Sequence, residues 1–532
     1  MFGKWSRRDI LKSSGAVAPV VLVAAPAPAA AQGLPAHAVN ERDNLYTRIG
    51  VRPILNARGT YTIISGSRSL PEVKQAMFEA SHYHVHLDEL MDGIGAELAK
   101  LTNAPWGITT NGCAAAIVQA TVACMVGTDV EKAQALPHIK AKDQVIIPWH
   151  SRNQYDIGVR MVGAEVVEVQ TAEDLHRAIN PRTAMIYILS SPEEAKSVLP
   201  IKAICEIAKE KNIPTFVDAA AEEPVKPNIH LAAGATMVGY SGGKCMRGPQ
   251  SSGMLLGPKD LCKAAYFNAS PHHNYGRPLK CSKEESMGLL AAVRQWYQRD
   301  HDGEQRMWRQ WLEHIEARLK SLESTRFEYL QPEDLSNKST RLRIHWDAEA
   351  LGITGTELVA KLDAGTPRIM VQGGTGTRPN PMASYITIMP YMMDPGEERI
   401  VADELHAALS NPGTYSNPPV SKGLLASLAG NWAVTIKYVR GQGEHQFTLQ
   451  QSGGELTGMQ KGEIYQGTLT GMVRANTIEM RSYMPVSGSS GRATGGLSGI
   501  DWRFKGTANG NTMVGTVDLG EYGVVPWTAV RI

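Results

Sequence analysis

At 532 residues the chain is longer than a single hydrophobic core usually organises, so at least two packed units with room for a buried site are expected. Lys plus Arg number 54 against 52 for Asp plus Glu, and this balance excludes a strong field that would recruit nucleic acid or an anionic membrane surface. Six cysteines, at positions 113, 124, 205, 245, 262 and 281, contain no CxxC pair or tight metal-ligand spacing, and most are expected to be buried free thiols.

In chain order, Ser6-Arg7-Arg8-Asp9-Ile10-Leu11-Lys12 precedes a modest apolar stretch through Val23 and an Ala/Pro-rich run ending Ala29-Ala30-Ala31-Gln32. This is the layout of a twin-arginine export signal over residues 1–31, so a periplasmic or otherwise exported protein is expected. Gly15, Pro19 and Pro26 interrupt the apolar segment, which is too short for a stable membrane span. Residues 32–70 are read as an N-terminal arm.

Residues 71–310 are read as an α/β domain, because amphipathic helical stretches such as Ile201 to Lys211 alternate with short β-branched apolar runs. Strands of a mostly parallel sheet are expected at 144–147, 165–169, 184–189, 215–218, 235–240 and 252–256. Near the start, His82, His84 and His86 alternate, which on a strand would place three imidazoles on one face and suit zinc or copper. No further ligand cluster accompanies them. Hydrogen-bonded or partly exposed histidines near a site entrance are therefore preferred, and no metal is assigned.

A long helix from Lys283 to about Leu322 is expected to bridge to a small α+β domain over 311–409, with strands at 341–346 and 384–388. Ser410 to Pro419 is too rich in Pro, Asn and Ser for regular structure, so 410–427 is read as a linker. From 428 to 532 short alternating strands carry an apolar-x-Gly beat at Leu456-Thr457-Gly458, Leu469-Thr470-Gly471, Phe504-Lys505-Gly506 and Met513-Val514-Gly515. A small antiparallel barrel or sandwich is expected, with Trp432, Trp502 and Trp527 as core or rim aromatics.

Three segments carry chemistry. Thr109-Thr110-Asn111-Gly112-Cys113-Ala114-Ala115-Ala116 reads as a loop entering a helix, whose free N–H groups would receive a phosphate. Phe216-Val217-Asp218-Ala219-Ala220-Ala221 puts a carboxylate at the C-terminal edge of a strand, where ligands of open α/β sheets gather. Tyr240-Ser241-Gly242-Gly243-Lys244-Cys245-Met246-Arg247-Gly248-Pro249-Gln250 places a lysine on a tight loop between strands, flanked by small residues that let a flat ring approach. Phosphate loop, ring carboxylate and Schiff-base lysine follow one another in the order used by pyridoxal-phosphate (PLP) enzymes of the aspartate-aminotransferase fold.

With Val51-Arg52-Pro53-Ile54-Leu55-Asn56-Ala57-Arg58-Gly59-Thr60 and Gly276-Arg277-Pro278-Leu279-Lys280-Cys281-Ser282-Lys283-Glu284 added, the chain resembles the selenocysteine-synthase-like PLP enzymes from about Arg48 to Tyr297, and more loosely to Leu409. That group includes L-seryl-tRNA(Sec) selenium transferase and D-glucosaminate-6-phosphate ammonia-lyase. The resemblance implies Lys244 as the aldimine lysine and Asp218 at the ring nitrogen. Asn111, Gly112, Cys113 and Ser241 would surround the phosphate, with His150 over the ring and Arg277 at phosphate or substrate, and the site would be built in a homodimer or larger.

No region resembles a tRNA-binding domain, so selenium transfer is rejected. A lyase acting at the α/β carbons of a small amino acid or amino sugar acid is expected, with racemisation or aldol cleavage open to the same residues and Arg368 as a candidate carboxylate clamp. The reading from another class is an exported, non-catalytic binding protein that uses its β domain.

Overall fold

The computed structural model describes residues 43–332, 335–378, 384–417, 423–485 and 499–532. The expected export signal lies outside them, as do residues 32–42 of the arm and 418–422 of the linker.

The described chain opens with a short strand, β1 (Leu55–Ala57). The seven strands that follow are β2 (Trp106–Thr110), β3 (Gln144–Pro148), β4 (Glu165–Val169), β5 (Thr183–Leu189), β6 (Thr215–Asp218), β7 (Met237–Ser241) and β8 (Gly253–Gly257). They form one sheet in the order β2-β8-β7-β6-β5-β3-β4, parallel throughout except for β8, which runs antiparallel to both neighbours. β3, β6, β7 and β8 are buried along almost their whole length, which is why they read as continuous apolar runs. Two apolar clusters cover the two faces of the sheet. The helix Gly112–Val126 lies in one of them, and Ile201–Glu210 and Lys283–Trp296 lie in the other.

β2 was not expected as a strand. Gly107 weakens the β signal of an otherwise β-prone run, and pairing with β8 secures the strand. The long helix expected from Lys283 also needs correction. It is two helices, Lys283–Trp296 and His301–Leu319, because Asp300 caps the second by accepting from the Gly303 N–H at 2.9 Å.

A second unit contains β9 (Arg326–Leu330), β10 (Arg341–Trp346), β11 (Ile369–Val371) and β12 (Ser384–Ile388). β12-β10-β9 form an antiparallel sheet, while β1 pairs in parallel with β11, so the N-terminal arm is stitched to the small unit through Leu55–Ile369.

The C-terminal unit is a closed eight-stranded antiparallel barrel made of β13 (Gly430–Lys437), β14 (Gln442–Ser452), β15 (Glu455–Lys461), β16 (Gln466–Arg474), β17 (Thr477–Pro485), β18 (Gly499–Asn509), β19 (Thr512–Asp518) and β20 (Val524–Arg531). Its interior is filled by Trp432, Trp502 and Trp527 packed with Phe447 and Phe504. The glycine beat has a steric cause. A Cβ on Gly458 would lie 2.0 Å from the Thr448 carbonyl oxygen, and one on Gly515 would lie 1.9 Å from that of Lys505. Close cross-strand approach lets a barrel of this size close around its aromatic core.

Candidate active site

The helix Gly112–Val126 is buried everywhere except at Gly112 and Ala114, so its first turn alone opens outward. Asn111 precedes it without a side-chain cap on the helix, and its Nδ2 is instead drawn 2.8 Å to the Lys280 carbonyl. The first N–H groups of a 15-residue helix are thus left for an anion, with the positive end of the helix dipole behind them. Gly112 has φ of +77° and open space where a Cβ would stand. Gly253 of β8 packs on this turn so tightly that a Cβ there would meet the Gly112 carbonyl carbon at 2.5 Å.

Asp218 ends β6 and is buried, with 2 % exposure. Tyr187 O–H donates to its Oδ2 at 2.9 Å, while the Cys113 thiol at 3.3 Å and the Ala220 N–H at 3.1 Å donate to Oδ1. Asn153 Nδ2 in turn donates to the Tyr187 oxygen at 3.1 Å. All these donors are neutral, and among the described residues no ion pair reaches Asp218. A buried carboxylate that accepts three neutral donors and has no cation beside it is placed to receive a cationic partner.

Burial and the Asp218 charge push the Cys113 thiol well above its usual range, and the Lys244 ammonium pulls the other way. Lys244 therefore acts on the same cluster, from the half-buried turn after β7. That turn is anchored by Ser241 N–H to the Ala220 carbonyl at 3.3 Å, Gly242 N–H to Ser252 at 2.7 Å and Arg247 N–H to the Lys244 carbonyl at 2.9 Å.

His150 sits on a short helical turn after β3, with 3 % exposure. Its Nε2 faces the Leu199 carbonyl at 3.1 Å and its Nδ1 faces the Ser151 hydroxyl at 3.0 Å. Burial holds its pKa below the ordinary imidazole value, partly opposed by the Leu199 carbonyl. Both nitrogens are engaged, so the ring face is what it has to offer a ligand. Arg277 donates to the Ser270 hydroxyl at 3.0 Å, on the segment whose Lys280 carbonyl receives Asn111.

Arg368 is not gathered into this cluster, because its Nε is committed to Asp363 at 2.7 Å. The histidine run 82–86 joins two helices, Pro71–Ser81 and Leu87–Thr102, rather than lying on a strand, so the shared strand face that would align three imidazoles does not form. Among the described residues no group of three or more His, Cys, Asp or Glu is arranged to hold a metal ion.

Three participants were not anticipated from sequence. Tyr187 was read only as a strand residue, although a lone phenol inside a buried apolar run must find a polar partner. Asn153 supports it. Arg58 keeps a buried Nε without a hydrogen-bond partner and lies 4.4 Å over the Tyr61 ring. Thr60 beside it bonds the Tyr391 hydroxyl at 2.9 Å, which donates to Asn337 Oδ1 at 2.9 Å, and Asn337 N–H donates to the Ala221 carbonyl at 3.2 Å. This chain of bonds ties the arm and the small unit to the turn after Asp218.

Comparison with known proteins agrees with this geometry. Residues 68–268 match the family model of Cys/Met metabolism PLP-dependent enzymes. D-glucosaminate-6-phosphate ammonia lyase of Salmonella typhimurium is 27 % identical over 60 % of this chain and 87 % of its own. The chain is a PLP-dependent enzyme. The solved structure of a D-glucosaminate-6-phosphate ammonia-lyase superposes with a TM-score of 0.61 at 25 % identity, covering 69 % of this enzyme and 98 % of that one. A 5'-C-glycyluridine monooxygenase-decarboxylase of Streptomyces is 29 % identical over 62 % of this chain and 84 % of its own. An L-seryl-tRNA(Sec) selenium transferase of Mannheimia succiniciproducens is 24 % identical over 67 % and 74 %. The uncompensated Asp218, the uncapped helix start and the open space at Gly112 fit the pyridinium nitrogen and phosphate of PLP.

Proposed function

We propose that this enzyme is an exported PLP-dependent lyase acting at the α/β carbons of a small amino acid or amino sugar acid. The observation that carries the reading is Asp218, a buried carboxylate supplied with three neutral donors and no cation, in a cluster that also feels the charge of Lys244. Bound PLP supplies an electron sink that stabilises negative charge at the substrate α carbon.

The chain's own groups do the rest. Asp218 would accept the ring N–H, with its oxygens already oriented by the donors Tyr187, Cys113 and Ala220. The N–H groups from Gly112 onward, with Ser241, receive the phosphate, and Arg277 completes that end from its own subunit or from a neighbour. The His150 face limits ring tilt. Lys244 Nζ would hold the cofactor and, once displaced by the substrate amine, would be the free amine that takes the proton from the substrate α carbon as general base. Arg58, with its unpaired Nε, is assigned to the substrate carboxylate in place of Arg368.

Racemisation or aldol cleavage would use the same groups, and the ammonia-lyase relative favours elimination. The twin-arginine segment supports export. Exposed Ile63, Phe78, Tyr83 and Ile157 support a homodimer, since apolar side chains of this size gain from being covered by a second copy.

The test is the absorbance of the purified enzyme before and after borohydride, followed by peptide mapping. A reduced pyridoxyl group mapped to Lys244, with ammonia released from amino acid substrates, is the expected result. Cofactor fixed on another lysine would overturn the assignment.

A further inference from the structure

Beyond the turn that carries Lys244 lies a pocket of about 160 Å³, at the seam between the large and small units. Cys245 and Arg247 line it, but Lys244, Asp218, Gly112 and Ser241 do not, so it is separate from the cofactor cluster. Its volume is several times the roughly 30 Å³ that one water occupies in the liquid, which is room for a molecule of a few non-hydrogen atoms.

Most charges on its wall are already matched. Arg299 is bidentate to Glu304 at 2.8 and 3.0 Å, and its remaining nitrogen donates to the Cys245 carbonyl at 3.3 Å. Arg247 Nε donates to the Arg68 carbonyl at 2.9 Å. Asp302 stands exposed at the rim.

Glu223 and Lys338 differ. Both are half-buried, both line the pocket, and neither makes a hydrogen bond or ion pair through its charged group among the described residues. Burial pushes the Glu223 carboxyl up, while Lys338 is foremost among the charges that pull it down, so the two sense each other without forming an ion pair. They come from opposite sides of the seam. Glu223 follows the Asp218 turn of the large unit, and Lys338 belongs to the segment bridged to that turn through Ser336–Glu222. The rings of Trp296, fixed by its indole N–H to the Pro224 carbonyl at 2.8 Å, and Trp308 line the same pocket.

We propose that this pocket is a second ligand site that binds a small amino-acid zwitterion, with Glu223 receiving the ammonium, Lys338 the carboxylate, and the two indoles the short side chain. Two unpaired charges of opposite sign in one pocket, beside two apolar rings, match a molecule that bears both complementary charges. A singly charged ligand would leave one half-buried group unmatched. The site is independent of which reaction the enzyme runs.

The experiment is equilibrium dialysis of radiolabelled alanine against borohydride-reduced holoenzyme, in which Lys244 is permanently blocked. One alanine bound per chain is expected, displaced by unlabelled glycine and serine but not by propionate or ethylamine at the same concentration. Glu223→Gln and Lys338→Met should each weaken binding at least tenfold, with the yield of pyridoxyl on Lys244 unchanged. No saturable binding to the reduced enzyme, unaltered affinity in both variants, or equal displacement by the singly charged analogues would overturn the proposal. A failure to fix cofactor on Lys244 would count against the catalytic assignment instead.

Discussion

Asp218 shows how much rests on single hydrogen bonds when a charge is buried. The Tyr187 hydroxyl is one of three donors to the carboxylate, and a hydrogen bond to a charged group is worth about 1.5–3 kcal/mol. Tyr187→Phe preserves the ring and removes that donor, so melting temperature and kcat should both fall while the cofactor stays on Lys244. Asp218→Asn should still bind cofactor but lose turnover by roughly 10²-fold or more, since the preorganised charge opposite the ring nitrogen is gone. His150 supplies a pH test. Its pKa is depressed in the fold by burial, whereas the unfolded chain binds a proton near the ordinary value of about 6.5. The unfolded state therefore holds more protons below that value, so the stability is complete above it and is lost as pH falls toward the depressed folded value. Thermal melts of wild type and His150→Gln should converge as pH drops from about 7 to about 5, because the variant lacks this acid-side loss.

At the scale of elements, glycine positions decide what can form. Gly112 has a left-handed backbone, where an ordinary residue pays about 1–2 kcal/mol, and its missing Cβ leaves the space assigned to the phosphate. Gly112→Ala should therefore weaken cofactor retention more than it lowers melting temperature, as read by cofactor release on dialysis. The sequence made this turn visible, together with β3, β4, β5, β6, β7 and β8, because buried parallel strands and a Gly-to-helix junction leave local signatures. It did not reveal β1, β2 or β11, which owe their pairing to partners distant in the chain, nor the break at Asp300, where one cap outweighs a continuous helical pattern. The site divided in the same way. Lys244, Asp218 and Gly112 lie on motifs, whereas Tyr187, Asn153 and Arg58 become relevant only once the strands are laid side by side.

For the molecule as a whole, the question is whether the barrel shares in catalysis. Among the described residues its core, from Leu428 to Ala529, draws no buried side chain from the large or small units, and each of its eight strands pairs only with barrel strands. The cofactor cluster, conversely, draws its residues from the large unit and the arm, and its ties to the small unit run through Thr60, Tyr391 and Asn337. Removing residues 420–532 should therefore leave cofactor binding at Lys244 and kcat within about a factor of two of the full enzyme. Gly458→Val should unfold the barrel alone, because its Cβ would fall on the Thr448 backbone, where relief requires strands to separate. Calorimetry of that variant should show loss of one transition with the cofactor-linked transition unmoved. If truncation instead removes turnover while cofactor stays bound, the barrel contributes to substrate access or dimer geometry, and the two-unit account of catalysis fails.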